Sequence, residues 1–267
     1  MLIKSDADIK TLEKGGRIIG TILSDLITLC KAGVSTLAID RRAEEMIHDA
    51  GGRPAFKFYK NHPTDSPFPS TICASKNSEV VHGIARPDVI LKTGDIFKID
   101  IGMEWPYQDP KHRGMYTDTA VTVAIGKTDA KALKLMEVTR ESLEVGLRAL
   151  KPGVSLASVG GAIEKYVKSQ GKYGIIRDLS GHGVGHEVHE DPWIPNYYEK
   201  QLEKFILKPG MVLAIEPMLT LGTWKIKSSS DGWTVLTADG SLSAHFEHTA
   251  VVTDKGCKVI TRRPEEL

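Results

Sequence analysis

Four acidic residues stand where acidic residues are unfavourable. Asp100, Asp118, Glu216 and Glu247 each lie in or beside a run of apolar and β-branched residues that reads as a strand, and an ionised carboxylate on such a strand needs a counter-charge or a metal. For any one of them alone, an edge charge or a salt bridge is the ordinary explanation. Four held together would repel one another and raise each other's pKa unless cations neutralised them. One or two divalent metals are the economical partner, and oxygen-rich donors with few or no thiolates favour Mn, Fe or Co over a structural zinc.

Histidine supplies the remaining donor type. The run from Gly181 to Glu190 carries His182, His186 and His189. It contains no HExxH, and its three glycines disfavour a helix, so it reads as a glycine-rich turn bearing His182 that enters a short strand over 186–189. Alternation along that strand puts Glu187 and His189 on one face and His186 on the other, and does not choose between the two histidines. His82, beside Gly83 at a strand end, occupies the corresponding position earlier in the chain and could donate a hydrogen bond or transfer a proton. His48, His62 and His112 read as ordinary surface or core histidines.

The elements that position these residues follow from periodicity. Apolar residues at helical spacing from Ile9 to Ile27 give a first helix, with Ser5 and Asp8 at its start and Gly33 as a stop. A second helix runs over 36–50, and 54–69 is a loop rich in Pro, Asn and Asp. Strands are expected at 71–81, 90–101 and 117–125, helices at 129–149 and 155–170, then strands at 186–189, 211–216, 233–237 and 246–253.

These elements repeat. Residues 31–47 match 151–167 with five identities, LKTGDIFKID at 91–100 matches LKPGMVLAIE at 207–216, and the run from Asp118 resembles the run from Glu247. The order is preserved, so the chain reads as two copies of one α+β unit facing each other, with the four carboxylates at matched positions around the centre.

Composition bounds the rest. The 267 residues are 41% hydrophobic and 26% charged, as in ordinary globular proteins. With 35 Lys+Arg against 34 Asp+Glu the formal charge is +1, which argues against a dedicated nucleic-acid or anionic-membrane binder. Cys30, Cys73 and Cys257 form no CxxC pair and suggest neither a disulfide framework nor a thiolate zinc site. The apolar stretch 18–29 is interrupted by Ser24 and Asp25 and is too short to span a bilayer. A cytoplasmic protein is expected.

With these residues assembled, the sequence resembles the type I methionine aminopeptidases of the pita-bread fold, through STICASKNSEVVHGI, FKIDIG, TDTAVTV, GHGVGHEVHEDPWIPN, LKPGMVLAIEPM and WTVLTADGSLSAHFEHTAVVT. The resemblance covers roughly residues 6 to 260. It implies an α+β pita-bread fold, two pseudo-twofold related halves around a central antiparallel sheet. It also implies one catalytic domain over 1–267, with halves at roughly 6–126 and 127–260. Two divalent metals, most naturally Mn, Fe or Co with Zn or Ni also admissible, would be held by Asp100, Asp118, His182, Glu216 and Glu247. Glu216 would double as the proton-shuttling base. The motif match selects His189 to hydrogen-bond the scissile carbonyl oxygen, with His82 at the scissile nitrogen, and Tyr59, Phe68, Cys73 and Trp233 as a methionine pocket that Phe56 adjoins. The implied reaction is removal of the initiator methionine from nascent proteins whose second residue is small, with a transient ribosome contact within that reading, and no membrane or specific nucleic-acid partner. The chain's own Met1 would then remain, because Leu2 is large. Alternative readings are another peptidase of the fold, prolidase-like or aminopeptidase P-like, and a non-catalytic binding module, which typically loses ligands.

Two stretches depart from the family. Asp100 and Asp118 are 18 residues apart, further than is usual, so an enlarged hairpin tip within 103–116, containing Pro110 and His112, is expected with the ligand register undisturbed. The loop 60–67 ahead of Phe68 is also long.

Overall fold

The computed structural model describes residues 2–60, 62–108 and 113–267. Ser5 opens the first helix as its side chain accepts from the amide of Asp8, whose carboxylate accepts the Ser5 amide in return, a reciprocal capping box. Helix α1 (Asp6–Leu29) buries Leu12, Ile19, Ile22, Leu23 and Leu26, and α2 (Thr36–Asp49) buries Ile39, Ala43 and Ile47. Their counterparts in the second half are α3 (Ala130–Ala149) and α4 (Leu156–Gln170).

The strands of the first half are β1 (Arg53–Pro54), β2 (Ile72–Lys76), β3 (Glu79–Val81), β4 (Ile96–Trp105) and β5 (Met115–Ala124). Those of the second are β6 (Gly174–Ile175), β7 (Gly181–Gly183), β8 (Glu190–Ile194), β9 (Val212–Ile215), β10 (Met218–Thr220), β11 (Ile226–Ser228), β12 (Val235–Thr237), β13 (Ser243–His245), β14 (Glu247–Val252) and β15 (Cys257–Val259). The main sheet runs β1-β4-β5-β14-β9-β7-β8, with β2 also paired to β4 and β15 to β14, and every pairing in it is antiparallel. The helices pack on it to give one large apolar cluster that includes Ile19, Leu23, Phe97, Ile99, Leu143 and Ile163. Among the described residues no helix is long and apolar enough to cross a membrane.

The repeat in the sequence has a counterpart in backbone bonding. Gly33 N donates to Leu91 O at 2.8 Å, Leu91 N to Val34 O and Thr36 N to Val89 O, both at 2.9 Å. In the second half Gly153 N donates to Leu207 O, Leu207 N to Val154 O, both at 2.9 Å, and Leu156 N to Phe205 O at 2.8 Å. The halves meet where β5 pairs β14 for only two residues, Ala120 with Glu247 and Thr119 with His248. Beyond that pairing threonine hydroxyls complete the bonding: Thr249 Oγ1 donates to Asp118 O at 2.7 Å, Thr119 Oγ1 to Glu247 O at 2.8 Å and Thr122 Oγ1 to His245 O at 2.7 Å.

Helix α1 is held from the far end of the chain. A Cβ at Gly16 would lie 2.4 Å from Ile260 O and one at Gly20 2.7 Å from Arg262 O, so glycine is what lets this segment lie on the helix. Ser24 Oγ donates to Glu265 Oε2 at 2.8 Å alongside.

The helices match their expected spans closely; several strands do not. The expected strand 71–81 breaks into β2 and β3 at Asn77, which adopts a positive φ of 55°. Ile90 makes an isolated bridge to Ser35, a turn follows at Thr93 and Gly94, and β4 begins at Ile96 because its partner β5 ends at Ala124. The expected strand at 186–189 is absent. That stretch is a bend in which the amides of His186 and Glu187 donate to Glu190 Oε1 at 2.6 and 3.2 Å, which takes both out of any ladder. The strand lies earlier, in β7, and carries His182. The glycines that suggested a turn are there for contact: a Cβ at Gly181 would meet Ala214 O at 2.3 Å, and one at Gly183 would meet Asp191 O at 2.2 Å. The β4–β5 hairpin keeps an unbroken register from Ile96↔Ala124 to Trp105↔Met115, so the enlarged tip leaves both aspartates in line. Pro110 and His112, at that tip, and Met1 lie outside the described residues.

Candidate metal centre and substrate cavity

Register alone brings the acidic residues to one face. Asp100 lies opposite Ala120, and Ala120 opposite Glu247, while Asp118 is two residues before Ala120, so all three carboxylates project from the same side of β4, β5 and β14. On β9, Ala214 pairs with Thr249 and His182, and Glu216 follows two residues later, which brings His182 and Glu216 to that side as well. Ala120 and Ala214, with one methyl each, leave room between the carboxylates. The space is a cavity of about 640 Å³ that all five of these side chains line.

Donor atoms of Asp118, His182 and Glu247 lie within 4.8 Å of one another. Glu216 Oε1 is 3.5 Å and Asp118 Oδ2 3.7 Å from His182 Nε2. Asp100 Oδ1, Asp118 Oδ1 and Glu247 Oε1 are buried with no hydrogen-bond partner. Burial, reinforced by mutual repulsion, pushes Asp118 and Glu247 well above the usual carboxylate range, and burial does the same to Glu216. Burial also brings Asp100 up to about 6, with His245 opposing and Glu216 adding to the rise. Four carboxyl groups in so dry a space cannot all ionise by themselves, and the orphaned oxygens are what a cation would satisfy. The residues therefore fit a divalent metal site of oxygen donors with one imidazole.

Around this centre stand the other predicted side chains. His189 sits at the cavity mouth, its ring 4.6 Å from that of His182, and Nδ1 lies 3.0 Å from the Tyr59 hydroxyl. Although solvent reaches it through the mouth, protein surrounds the remaining sides, and that burial lowers His189 to about 4. His82 follows β3 with a positive φ of 57°, uncommon for a residue with a side chain. Its ring lines the cavity, and burial, with repulsion from His189, holds it at about 4. Burial likewise holds His182 at about 3, helped by His189. All three imidazoles are neutral near pH 7 and offer one N–H donor each.

Phe56, Tyr59, Phe68, Cys73 and Trp233 form one apolar wall of the same cavity. Phe68 and Trp233 meet edge to face at 5.3 Å, and Cys73 faces Asp100 across the β2–β4 pairing. Burial and the nearby carboxylates raise the Cys73 thiol well above its usual range, so it remains a polarizable apolar surface. Tyr59, despite the long loop after it, reaches this wall because Tyr59 and Phe68 are joined by the bond from Phe68 N to Tyr59 O at 2.8 Å.

Sequence reasoning missed two groups. Trp193 lines the cavity directly across from His182 in the β7–β8 pairing and is 43% exposed. His245, buried behind the centre, approaches Glu216 Oε2 to 3.4 Å. Both lie inside stretches that carry the family resemblance, but nothing in their own type or spacing singles them out.

Comparison with known proteins identifies the family. The description of metallopeptidase family M24 matches residues 10–254. The chain is 40% identical over 261 residues to the methionine aminopeptidase of Clostridium acetobutylicum, covering 98% of each protein. It is 40% identical over 262 residues to methionine aminopeptidase 1 of Bacillus subtilis, covering 98% of this chain and 99% of that one. The crystal structure of methionine aminopeptidase from Thermotoga maritima superposes with a TM-score of 0.90 at 38% identity, over 98% of this chain and 100% of that chain. The chain belongs to metallopeptidase family M24, in its methionine aminopeptidase branch, and has the pita-bread fold. As a member it is a hydrolase that binds divalent metal.

Proposed function

We propose that this protein removes the N-terminal methionine from nascent polypeptides whose second residue is small. The observation that carries the reading is the meeting, in one cavity, of three orphaned carboxylate oxygens with an aromatic and thiol wall of the right chemistry for a thioether. Asp100, Asp118, His182, Glu216 and Glu247 would hold two divalent ions, Mn, Fe or Co, with Zn or Ni also fitting the donors. When bound, the metals supply an activated water and a Lewis acid at neutral pH. The carboxylates must surrender their protons for this, and Glu216 then moves a proton between the attacking water and the departing amine.

His189 acts on the scissile carbonyl. With the Tyr59 hydroxyl donating to Nδ1, the ring's N–H is left on Nε2, ready to bond the oxygen as negative charge develops there. His82, carried on a left-handed backbone position and lining the same cavity, meets the scissile nitrogen. The wall of Tyr59, Phe68, Cys73 and Trp233, with Phe56 beside it, orients the methionine side chain and excludes water from it. Residues 6–126 and 127–260 are two halves of one catalytic domain, each supplying two of the four carboxylates. The three free thiols support a reducing, cytoplasmic setting.

The test is methionine release from Met-Ala-Ser and Met-Leu-Ser by metal-depleted protein resupplied with Mn, Fe or Co, beside Glu216→Ala. Cleavage of the first peptide alone, lost in the variant, is expected. Failure with every metal by a folded protein would refute the reading.

A further inference from the structure

Glu216 stands between two imidazoles, one for each oxygen. Its Oε1 lies 3.5 Å from Nε2 of His182, on the cavity side, and its Oε2 lies 3.4 Å from Nε2 of His245, on the far side. His245 is 1% exposed, and neither of its ring nitrogens has a hydrogen-bond partner. A buried polar ring left unpaired carries a desolvation cost, and such groups in a folded protein call for an explanation. Glu216 Oε2, 3.4 Å from Nε2, is an acceptor within its reach.

The strand that bears His245 is paired to β10, with His245 opposite Met218 just beyond Glu216, and it is also held from β5. The His245 amide donates to Thr122 Oγ1 at 2.9 Å and its carbonyl accepts from the same hydroxyl at 2.7 Å. Two residues earlier, Ser243 accepts the fully buried Lys98 ammonium at its carbonyl, 2.9 Å, and at Oγ, 3.3 Å. The ring is therefore presented from a braced backbone. His245 is not among the residues lining the cavity, so it acts behind Glu216 and not on substrate.

We propose that His245 is a positioning residue: its Nε2–H restrains Oε2 of Glu216, which fixes the rotation of the carboxylate and keeps Oε1 directed to the cavity beside His182. This rests on the reading of Glu216 as a ligand and proton carrier. A neutral imidazole carries a single N–H, and placing it on Nε2 supplies the donor that the carboxylate needs.

His245→Phe keeps a ring of similar size without a donor, whereas His245→Gln returns an N–H at comparable reach. For both, kcat and KM on Met-Ala-Ser, the affinity for Mn(II) alone by calorimetry, and Tm would be measured. His245→Phe should lower kcat about tenfold or more with KM within about twofold, and weaken one Mn(II) site about tenfold, the range usual for partners of ligating groups. His245→Gln should recover most of both. If the phenylalanine variant does not fold, His245→Asn replaces it, since its shorter amide falls short of Oε2 and should rank below His245→Gln. Equal behaviour of the donor and non-donor variants, whether both resemble the wild type or both are equally impaired, overturns the proposal. Glu216→Ala keeps the two ideas apart: full activity in that variant would refute the role of Glu216 itself, whereas its loss beside an unimpaired His245→Phe would refute only the positioning.

Discussion

Adding one methyl group to Gly183 should disable the centre without removing any functional atom. Gly183 adjoins His182 in β7, pairs with Leu213 of β9 and Glu190 of β8, and its carbonyl lies 2.9 Å from His182 Nδ1. A Cβ there would stand 2.2 Å from Asp191 O, 2.9 Å from Asp191 C and 3.2 Å from Glu190 O. All of these are backbone atoms, so no side chain can swing aside. Restoring ordinary separation would part β7 from β8 by about 1 Å, and a displacement of about 1 Å at a reacting centre costs on the order of a hundredfold in rate. Overpacking of this kind also costs about 1–3 kcal/mol of stability. At about 2–4 °C per kcal/mol, that lowers Tm by roughly 2–12 °C. Gly183→Ala would be assayed for kcat/KM on Met-Ala-Ser, for Mn(II) affinity and for Tm. Gly256→Ala, at a position with nothing within 4 Å and no positive φ, serves as the control. Wild-type activity and stability in the Gly183 variant would refute the account of why this strand carries glycine.

Metal binding near pH 6 should expel protons, because burial holds Asp118, Glu216 and Glu247 above the usual range in the metal-free protein; calorimetry in buffers of different ionisation enthalpy would count them, and finding none would contradict the carboxyl assignments. Chelation should correspondingly lower Tm, since ligand at a hundred times Kd stabilises by about 2.7 kcal/mol. Tyr59→Phe removes the hydroxyl 3.0 Å from His189 Nδ1, and should lower kcat up to about tenfold, the worth of one hydrogen bond of about 1 kcal/mol, with little change in KM. Glu266 is pushed up by burial but brought down to about 2 by His248 and Arg263; its ionised form therefore stabilises the fold above about pH 4.3, the unfolded value, and that contribution disappears as pH falls toward 2. Urea titrations of Glu266→Gln should show a deficit against wild type at pH 7 that narrows below pH 4.

How much of this was legible in the sequence depended on the range of the interaction. Helices announced themselves through local periodicity and caps, as with Ser5 and Asp8. The carboxylates were legible because charge on an apolar strand is anomalous wherever the strand goes. His182 was misjudged to lie in a turn, since the glycines around it answer to Ala214 O and Asp191 O, contacts that no local pattern encodes. The same holds for His245: a lone histidine two residues before an acidic one says nothing until β13 is laid against Glu216. Tyr59 and Phe68, separated by a loop of unusual length, come together through backbone bonding at the loop's two ends.

The two glycines of α1 that accept the segment at 260–262 also bear on how the molecule assembles. Ser24 and Glu265, bonded beside that contact, are 241 residues apart in the chain. Closing so wide a loop is costly in entropy and is compensated only once distant elements are already in place. During synthesis α1 emerges well before residues 260–262, and its glycine face stays bare until they follow. The cavity draws on residues from Phe56 to Glu247, so its wall too can close only after Glu247 has been made.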